Sequence, residues 1–438
     1  MNRREFPRRR KKLMDMMGDD SVAIIPTSPV YIRNRDVEFP HRPDSDFYYL
    51  SGYPEPEAVM VLIPDRYHGE FVLFCRERDE KMETWTGRRA GLEGACELYG
   101  VNDAFPIEDM DDILPGMLED RERIYYTMGN DSLFDQRVLG WVNQVRKQVR
   151  TGINAPDEFI SLNHLLHEMR LFKSRPEISA MKKAAKISCH AHKRAMEVCR
   201  PGMMEYHIEA ELLHEFMSQG SRFAAYPSIV GSGENGCILH YTENNRQMCD
   251  GDLLLIDAGA EFDGYASDIT RTFPVNGNFS KEQKQIYNIV LEANQEAIKE
   301  VKPGNHWNDP HDVAVEILTE GMLSLGILKG TLKSQIKEAS YKKYYMHRTG
   351  HWLGMDVHDV GDYKLEGEWR KLEPGMVTTI EPGLYFQPQH GLAKKWWNIG
   401  IRIEDDVLIT NDDNEVFSKD APKAVDDIEA LMGASMAA

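Results

Sequence analysis

The chain has 438 residues, 42% hydrophobic and 28% charged, enough for two or three globular domains; this excludes a disordered or fibrous chain. Its 52 basic and 71 acidic side chains give a net charge of −19, which repels phosphate backbones and anionic lipid, so neither a nucleic-acid nor a membrane partner is expected. The longest apolar runs, such as Ala58 to Ile63 and Leu253 to Ile256, fall far short of the ~18 residues a membrane helix needs.

The chain opens on a basic run, Arg8 to Lys12, with no apolar stretch behind it, so no secretory leader is expected. Phe6, Leu13 and Met17 fall near helical spacing, which makes the run the solvated face of an opening helix. Short β-rich runs follow at Val22 to Ile25, Phe47 to Leu50, Val59 to Ile63, Phe71 to Phe74 and Ile124 to Tyr126. With charged helical stretches between them, they predict a mixed α/β N-terminal domain over residues 1–172. Ser174 and Glu177 have the spacing of a capping box, with Pro176 in the first turn. The helix they start should run to Cys199 and stop at Pro201-Gly202. Further helices fit Ile208 to Met217, Lys281 to Val301 and Pro310 to Leu325, and strand-like runs dominate from Met376 onward. Residues 173–438 are therefore expected to form an α+β domain of helices and antiparallel hairpins. Gly231 to Gly236 matches G-x-G-x-x-G, but no helix opens after it, so its glycines are read as a sharply turning loop. The six cysteines form no C-x-x-C pair, as expected of reduced thiols in a cytoplasmic protein.

The chemistry concentrates in the C-terminal part. Asp257 ends the aliphatic run Leu253-Leu254-Leu255-Ile256. If Glu261-Phe262-Asp263-Gly264 makes a hairpin turn, Asp257 faces Asp268 with Cβ atoms ~5 Å apart. Two carboxylates so close beside an apolar strand repel and lose hydration, and a cation between them turns that cost into a binding site. Glu381 ends Val377-Thr378-Thr379-Ile380, and Glu404 alternates with the isoleucines of Ile401-Arg402-Ile403. His347, His351 and His358 cluster among Gly350 and Gly354, which permit close backbone approach. His167-Glu168 and His214-Glu215 lack the second histidine of H-E-x-x-H, so a zincin is excluded.

Asp257-Ala258-Gly259, Asp268-Ile269-Thr270-Arg271-Thr272, Gly350-His351-Trp352-Leu353-Gly354, Asp356-Val357-His358-Asp359, Glu381-Pro382-Gly383 and Arg402-Ile403-Glu404-Asp405 resemble, in order, the motifs of the pita-bread metallopeptidases. Val230 to Gly236 and His240-Tyr241-Thr242-Glu243-Asn244 are similar to the bacterial aminopeptidase P branch, as is Asp44 to Gly52 in the N-terminal part. The resemblance implies a pita-bread catalytic domain behind a smaller N-terminal one. It also implies two divalent metal ions on Asp257, Asp268, His351, Glu381 and Glu404, with Asp268 and Glu404 bridging. The hard, oxygen-rich donor set suits Mn²⁺. By the same resemblance Glu381 acts as general base and then acid, His358 stabilises the oxyanion, and His240 holds the substrate. His347, Tyr385 and Arg402 would surround the proline, and Trp85 would reach the active site of a neighbouring subunit in a homo-oligomer, a tetramer or a dimer. The implied substrates are peptides with Xaa-Pro N-termini; the alternative is a prolidase, restricted to Xaa-Pro dipeptides. Arg348-Thr349 departs from the small residues usual before Gly350-His351.

Overall fold

The computed structural model describes residues 3–437, with side chains to 435. The chain divides into two compact units, Met1–Met169 and Arg170–Ala438.

The first unit is built on a six-stranded mixed sheet ordered Asp103–Pro106, Phe71–Cys75, Val59–Leu62, Ser21–Pro26, Arg123–Tyr125, Glu158–Ile160. Valines and aromatics of its central strands (Val22, Val59, Val61, Val72, Phe74) are fully or nearly fully buried, as β-branched and aromatic residues are on a covered pleated face. Helices Met110–Leu118 and Ser132–Arg146 supply Leu114, Leu118, Val138 and Val142 to the same core.

Two expectations fail in this unit. Phe47 to Leu50 is not a strand but part of helix Ser45–Ser51: Asp44 caps it by accepting the Phe47 N–H at 3.0 Å, and Gly52, at φ 65°, ends it. A short aromatic-rich run fits either element, and the cap decides. The basic run does lie on an opening helix, Glu5–Met17, which buries Phe6, Leu13 and Met17. It is only partly a solvated face. Arg9 and Arg10 are buried and donate to the carbonyls of Tyr49 (2.9 Å) and Leu50 (2.8 Å), with their guanidiniums over the rings of Tyr49 and Phe71.

In the second unit, helix Arg175–Val198 begins at the expected capping box and packs on helix Glu205–Ser218, while Lys281–Glu300 packs on Asp309–Ser324. Three antiparallel sheets carry the chemistry: Ile229–Ser232 with Leu253–Asp257 and Thr270–Pro274; Val377–Ile380 with Asp405–Ile409 and Asn414–Val416; and Gly383–Phe386 with Ile399–Arg402. Their inner faces and the helices share one core containing Ile256, Phe273, Val290, Leu318, Ile380 and Ile401. A closing helix that the strand-like pattern did not suggest, Val425–Ala437, adds Ile428 and Met432 to that core.

Cross-links tie the sheets together where the carboxylates sit. Glu404 N–H donates to Thr270 O (3.1 Å), and Thr272 Oγ1 to Arg402 O (3.0 Å). Fully buried Arg271 donates to the carbonyls of Thr270 (2.9 Å), Glu404 (2.5 Å) and Ala421 (3.1 Å) and to Asp405 Oδ1 (2.7 Å). One guanidinium thus satisfies acceptors from three segments that no single strand could reach.

Candidate active site

The hairpin pairing differs from the expectation by two residues. The turn is two residues, Asp263 (φ 52°) and Gly264 (φ 81°), so Phe262 pairs with Tyr265 and Asp257 with Thr270 rather than with Asp268. Asp-Gly suits a tight turn with two positive φ angles, whose twist matches that of the flanking strands. Asp268 is then the diagonal neighbour of Asp257 on the same face, so the two carboxylates still meet. They do so through a residue that sequence reasoning missed. The Tyr226 hydroxyl lies 2.6 Å from Asp257 Oδ1 and 2.5 Å from Asp268 Oδ1.

Asp268, His351 and Glu404 offer ligand atoms within 4.8 Å of one another. His351 Nδ1–H donates to the carbonyl of Trp352 at 2.9 Å, which turns Nε2 toward Asp268 Oδ2, 3.3 Å away. That is how a metal-ligating imidazole is usually oriented. Glu404 Oε2 accepts from Thr270 Oγ1 at 2.6 Å, but Glu404 Oε1 is buried without a partner. A buried carboxylate oxygen in that condition calls for a cation or a donor. Glu381 is placed by its N–H on Thr349 O (2.7 Å) and brings Oε1 to 3.9 Å from His351 Nε2. Asp257 Oδ2 accepts from Arg402 Nη2 at 2.5 Å.

Without a cation the cluster is electrostatically uncomfortable. Burial, and the charge of Asp268, push Asp257 up to about 6 against the pull of Arg402. Burial likewise lifts Glu381 to about 7 although His351 opposes it, and holds Glu404 well above the carboxylate range. His351 stands at about 9: burial lowers it, but the hydrogen bond and charge of Asp268 more than offset that. A proton on His351 therefore does part of what a metal ion would do, and the donor set fits a hard divalent ion.

Around this floor is a cavity of about 950 Å³ whose wall includes all five expected ligands with His240, His347, His358 and Arg402. The His358 ring stands edge-on to His351, centres 4.3 Å apart. Arg402 Nη1 donates to the Tyr385 oxygen (3.0 Å), whose hydroxyl is 2.8 Å from His347 Nε2, while His347 Nδ1–H is taken by Arg348 O (2.7 Å). The chain His347–Tyr385–Arg402–Asp257 thus fixes one side of the cavity. His240 is carried by the glycine loop, which is anchored by buried Glu205: its carboxylate accepts from Ser232 N–H (2.7 Å), the Tyr241 hydroxyl (2.8 Å) and Arg246 N–H (2.9 Å). Trp85 is in the other unit, on helix Glu80–Thr86, and is 84% exposed. That unit's own cavity, about 800 Å³, includes Asp44 and Asp131, but both are spent as helix caps.

The profile of metallopeptidase family M24 matches residues 179–411, and that of the aminopeptidase P N-terminal domain matches residues 6–125. The chain is 46% identical to an Xaa-Pro aminopeptidase of Escherichia coli, covering 99% of both, and 41% identical to one of Haemophilus influenzae, covering 98% of this chain and 97% of that one. It superimposes on the structure of Pseudomonas aeruginosa aminopeptidase PepP with a TM-score of 0.99 at 56% identity, covering 100% of this chain and 99% of that one. Against zinc-substituted E. coli aminopeptidase P in complex with product, the TM-score is 0.97 at 46% identity, covering 99% of each. These relatives are named aminopeptidases, and the chain belongs to metallopeptidase family M24, in its Xaa-Pro aminopeptidase branch.

Proposed function

We propose that this chain releases the N-terminal residue from peptides whose second residue is proline, using two divalent ions held by Asp257, Asp268, His351, Glu381 and Glu404. The observation that carries this reading is the unpartnered Glu404 Oε1 beside Asp268 and the oriented His351 Nε2. With His351 neutral and its four carboxylates ionised, the floor sets four negative charges against the Arg402 guanidinium bonded to Asp257, an excess that one divalent ion does not offset. When bound, such ions supply Lewis acidity and a water acidic enough to react near neutrality. Oxygen-rich ligation would favour Mn²⁺, and Asp268 and Glu404 are the residues that would serve both ions.

The side chains divide the remaining work. Glu381 takes a proton from the attacking water and returns it to the proline nitrogen, which has no hydrogen of its own while it is an amide. His358 keeps an N–H when neutral, and burial together with His351 lowers its pKa, so it donates a hydrogen bond to the carbonyl oxygen as charge develops there. His240 holds the chain next to the scissile bond, and His347, Tyr385 and Arg402 hold the proline ring.

The exposure of Trp85, near exposed Arg88, supports a homo-oligomer, a tetramer or a dimer, in which Trp85 contacts a second copy's substrate. No described helix is long and apolar enough to cross a membrane, and all six cysteines are free, which supports a cytoplasmic setting. The test is a panel of Xaa-Pro dipeptides and Xaa-Pro-Yaa peptides assayed after chelation and after return of Mn²⁺. Turnover should vanish and recover; full activity in the chelated protein refutes the metal-dependent mechanism. Trp85→Ala should weaken cleavage of peptides longer than two residues at unchanged metal content, and light scattering that shows a fully active monomer refutes its role in trans.

A further inference from the structure

The mouth of the catalytic cavity carries two cations that no acidic side chain holds. Arg348 is exposed, donates from Nη2 to Asn308 Oδ1, and sets its guanidinium 5.4 Å from the ring centre of Trp307 and 5.0 Å from that of Trp369. Lys364 Nζ lies 4.4 Å from the Trp369 ring. Lys364 and Trp369 are cross-strand partners in the small hairpin Lys364–Leu365 with Glu368–Trp369. The platform is fastened to the core: Trp307 packs on Tyr363 with ring centres 4.4 Å apart, and Tyr363 stacks on buried Trp352, the residue after His351. Arg348, Lys364, Trp307 and Trp369 line the same cavity as the five ligands, and so does Asp362. Among the described residues neither cation has an ion pair.

An aromatic face attracts a cation without neutralising it, and leaves its outward N–H groups free to donate. In a chain of net charge −19, two such cations at one opening place positive charge where an anionic group can reach it. A guanidinium held near two indoles and bonded to an asparagine gives up less rotamer freedom when ligand arrives, and its fork matches a carboxylate. A substrate with its Xaa-Pro bond over the carboxylate floor runs outward from proline, and at ~3.3–3.6 Å per residue the carboxyl end of a tripeptide lies within ~7 Å of the proline nitrogen.

We propose that Arg348 and Lys364, set on Trp307 and Trp369, form a carboxylate-binding subsite for the third residue of the substrate. The inference rests on the Xaa-Pro aminopeptidase reading above. The carboxylate is either the free C-terminus of a tripeptide or an acidic side chain at the third position.

The experiment measures kcat/KM of the Mn²⁺-loaded full chain on Ala-Pro-Ala, Ala-Pro-Ala-amide and Ala-Pro-Asp-amide. The free acid should exceed the neutral amide by about tenfold, mostly in KM, and the advantage should shrink as NaCl rises from low to high concentration. The aspartyl amide reports whether a side-chain carboxylate is read as well. In Arg348→Gln and in Lys364→Gln the acid-to-amide ratio should fall, and to about one in the double variant. Equal kcat/KM for all three substrates in the unmodified protein overturns the subsite and leaves the aminopeptidase reading intact. A ratio unchanged in the double variant also overturns it. No turnover of any substrate overturns both.

Discussion

Lys173→Met tests how a buried charge cluster holds the loop that carries His358. Asp359 Oδ2 accepts from Lys173 Nζ at 2.9 Å and Oδ1 from Arg170 Nη2 at 2.6 Å, and the Lys173 and Asp359 side chains are each 1% exposed. Removing one partner of a buried pair costs ~3–5 kcal/mol because the other charge is left uncompensated. Here Arg170 remains with Asp359, so the loss is nearer that of one charge-assisted hydrogen bond plus part of the desolvation of Asp359, ~2–3 kcal/mol. For a unit of this size that corresponds to a fall of ~4–5 °C in the unfolding midpoint, measurable by calorimetry. The pH dependence sharpens the test. Burial raises the Asp359 pKa, but Lys173 and then Arg170 outweigh it and hold the carboxyl below its usual range. A depressed carboxyl contributes stability that is complete above its unfolded pKa of ~3.9 and lost as pH falls through the folded value. The gap between wild type and variant should therefore be constant from pH 8 to about 5 and narrow only below about 4. A loss under ~0.5 kcal/mol at pH 7 would refute the reasoning, since it would mean that Asp359 needs only one cation.

Asp268→Ala and Glu404→Ala should each lose both bound metal and turnover, and metal analysis finding two ions in either variant contradicts their shared-ligand role. His358→Ala should cut kcat about a hundredfold or more with metal content intact, the scale of a single oxyanion donor; a metal-free variant would make His358 a ligand instead. His311, bonded through Nδ1 to Thr349 Oγ1 at 2.8 Å, is lowered to about 4 by burial and then by Arg348, so the unfolded chain binds a proton first as pH falls below ~6.5. Stability should drop by up to ~3 kcal/mol between pH 6.5 and 4, and His311→Gln should flatten that segment of a urea-stability profile; an unchanged profile refutes it.

Asp257 stands out locally, as a charge that ends the aliphatic run Leu253–Ile256; Glu381 and Glu404 sit in similar settings but become candidate ligands only through the family motifs around them. What stayed hidden depends on distant partners. Tyr226 is a site residue only because Asp257 and Asp268 arrive from elsewhere in the chain, and nothing in its neighbours hints at that. Arg9 and Arg10 look solvated until the carbonyls of Tyr49 and Leu50 are placed beside them. The hairpin register turns on which two residues carry positive φ, and Asp263-Gly264 outcompetes a turn centred between Phe262 and Asp263. Helix Ser45–Ser51 was missed for a related reason, because Asp44 as a cap weighs more than the β-propensity of Phe47, Tyr48 and Tyr49.

Arg271 ties the strand after Asp268 to Glu404, Asp405 and Ala421, and this bears on how the enzyme is made. On the ribosome, at ~5–20 residues per second, the ~140 residues between Asp268 and Glu404 take roughly 7–30 s to appear. Throughout that interval Asp257 and Asp268 are translated while Glu404 and the distant acceptors of Arg271, on Glu404, Asp405 and Ala421, are not. On the proposed ligand set, a nascent chain would therefore offer at most a fragmentary, weak cation site, and full metal loading would follow release of the C-terminal segment.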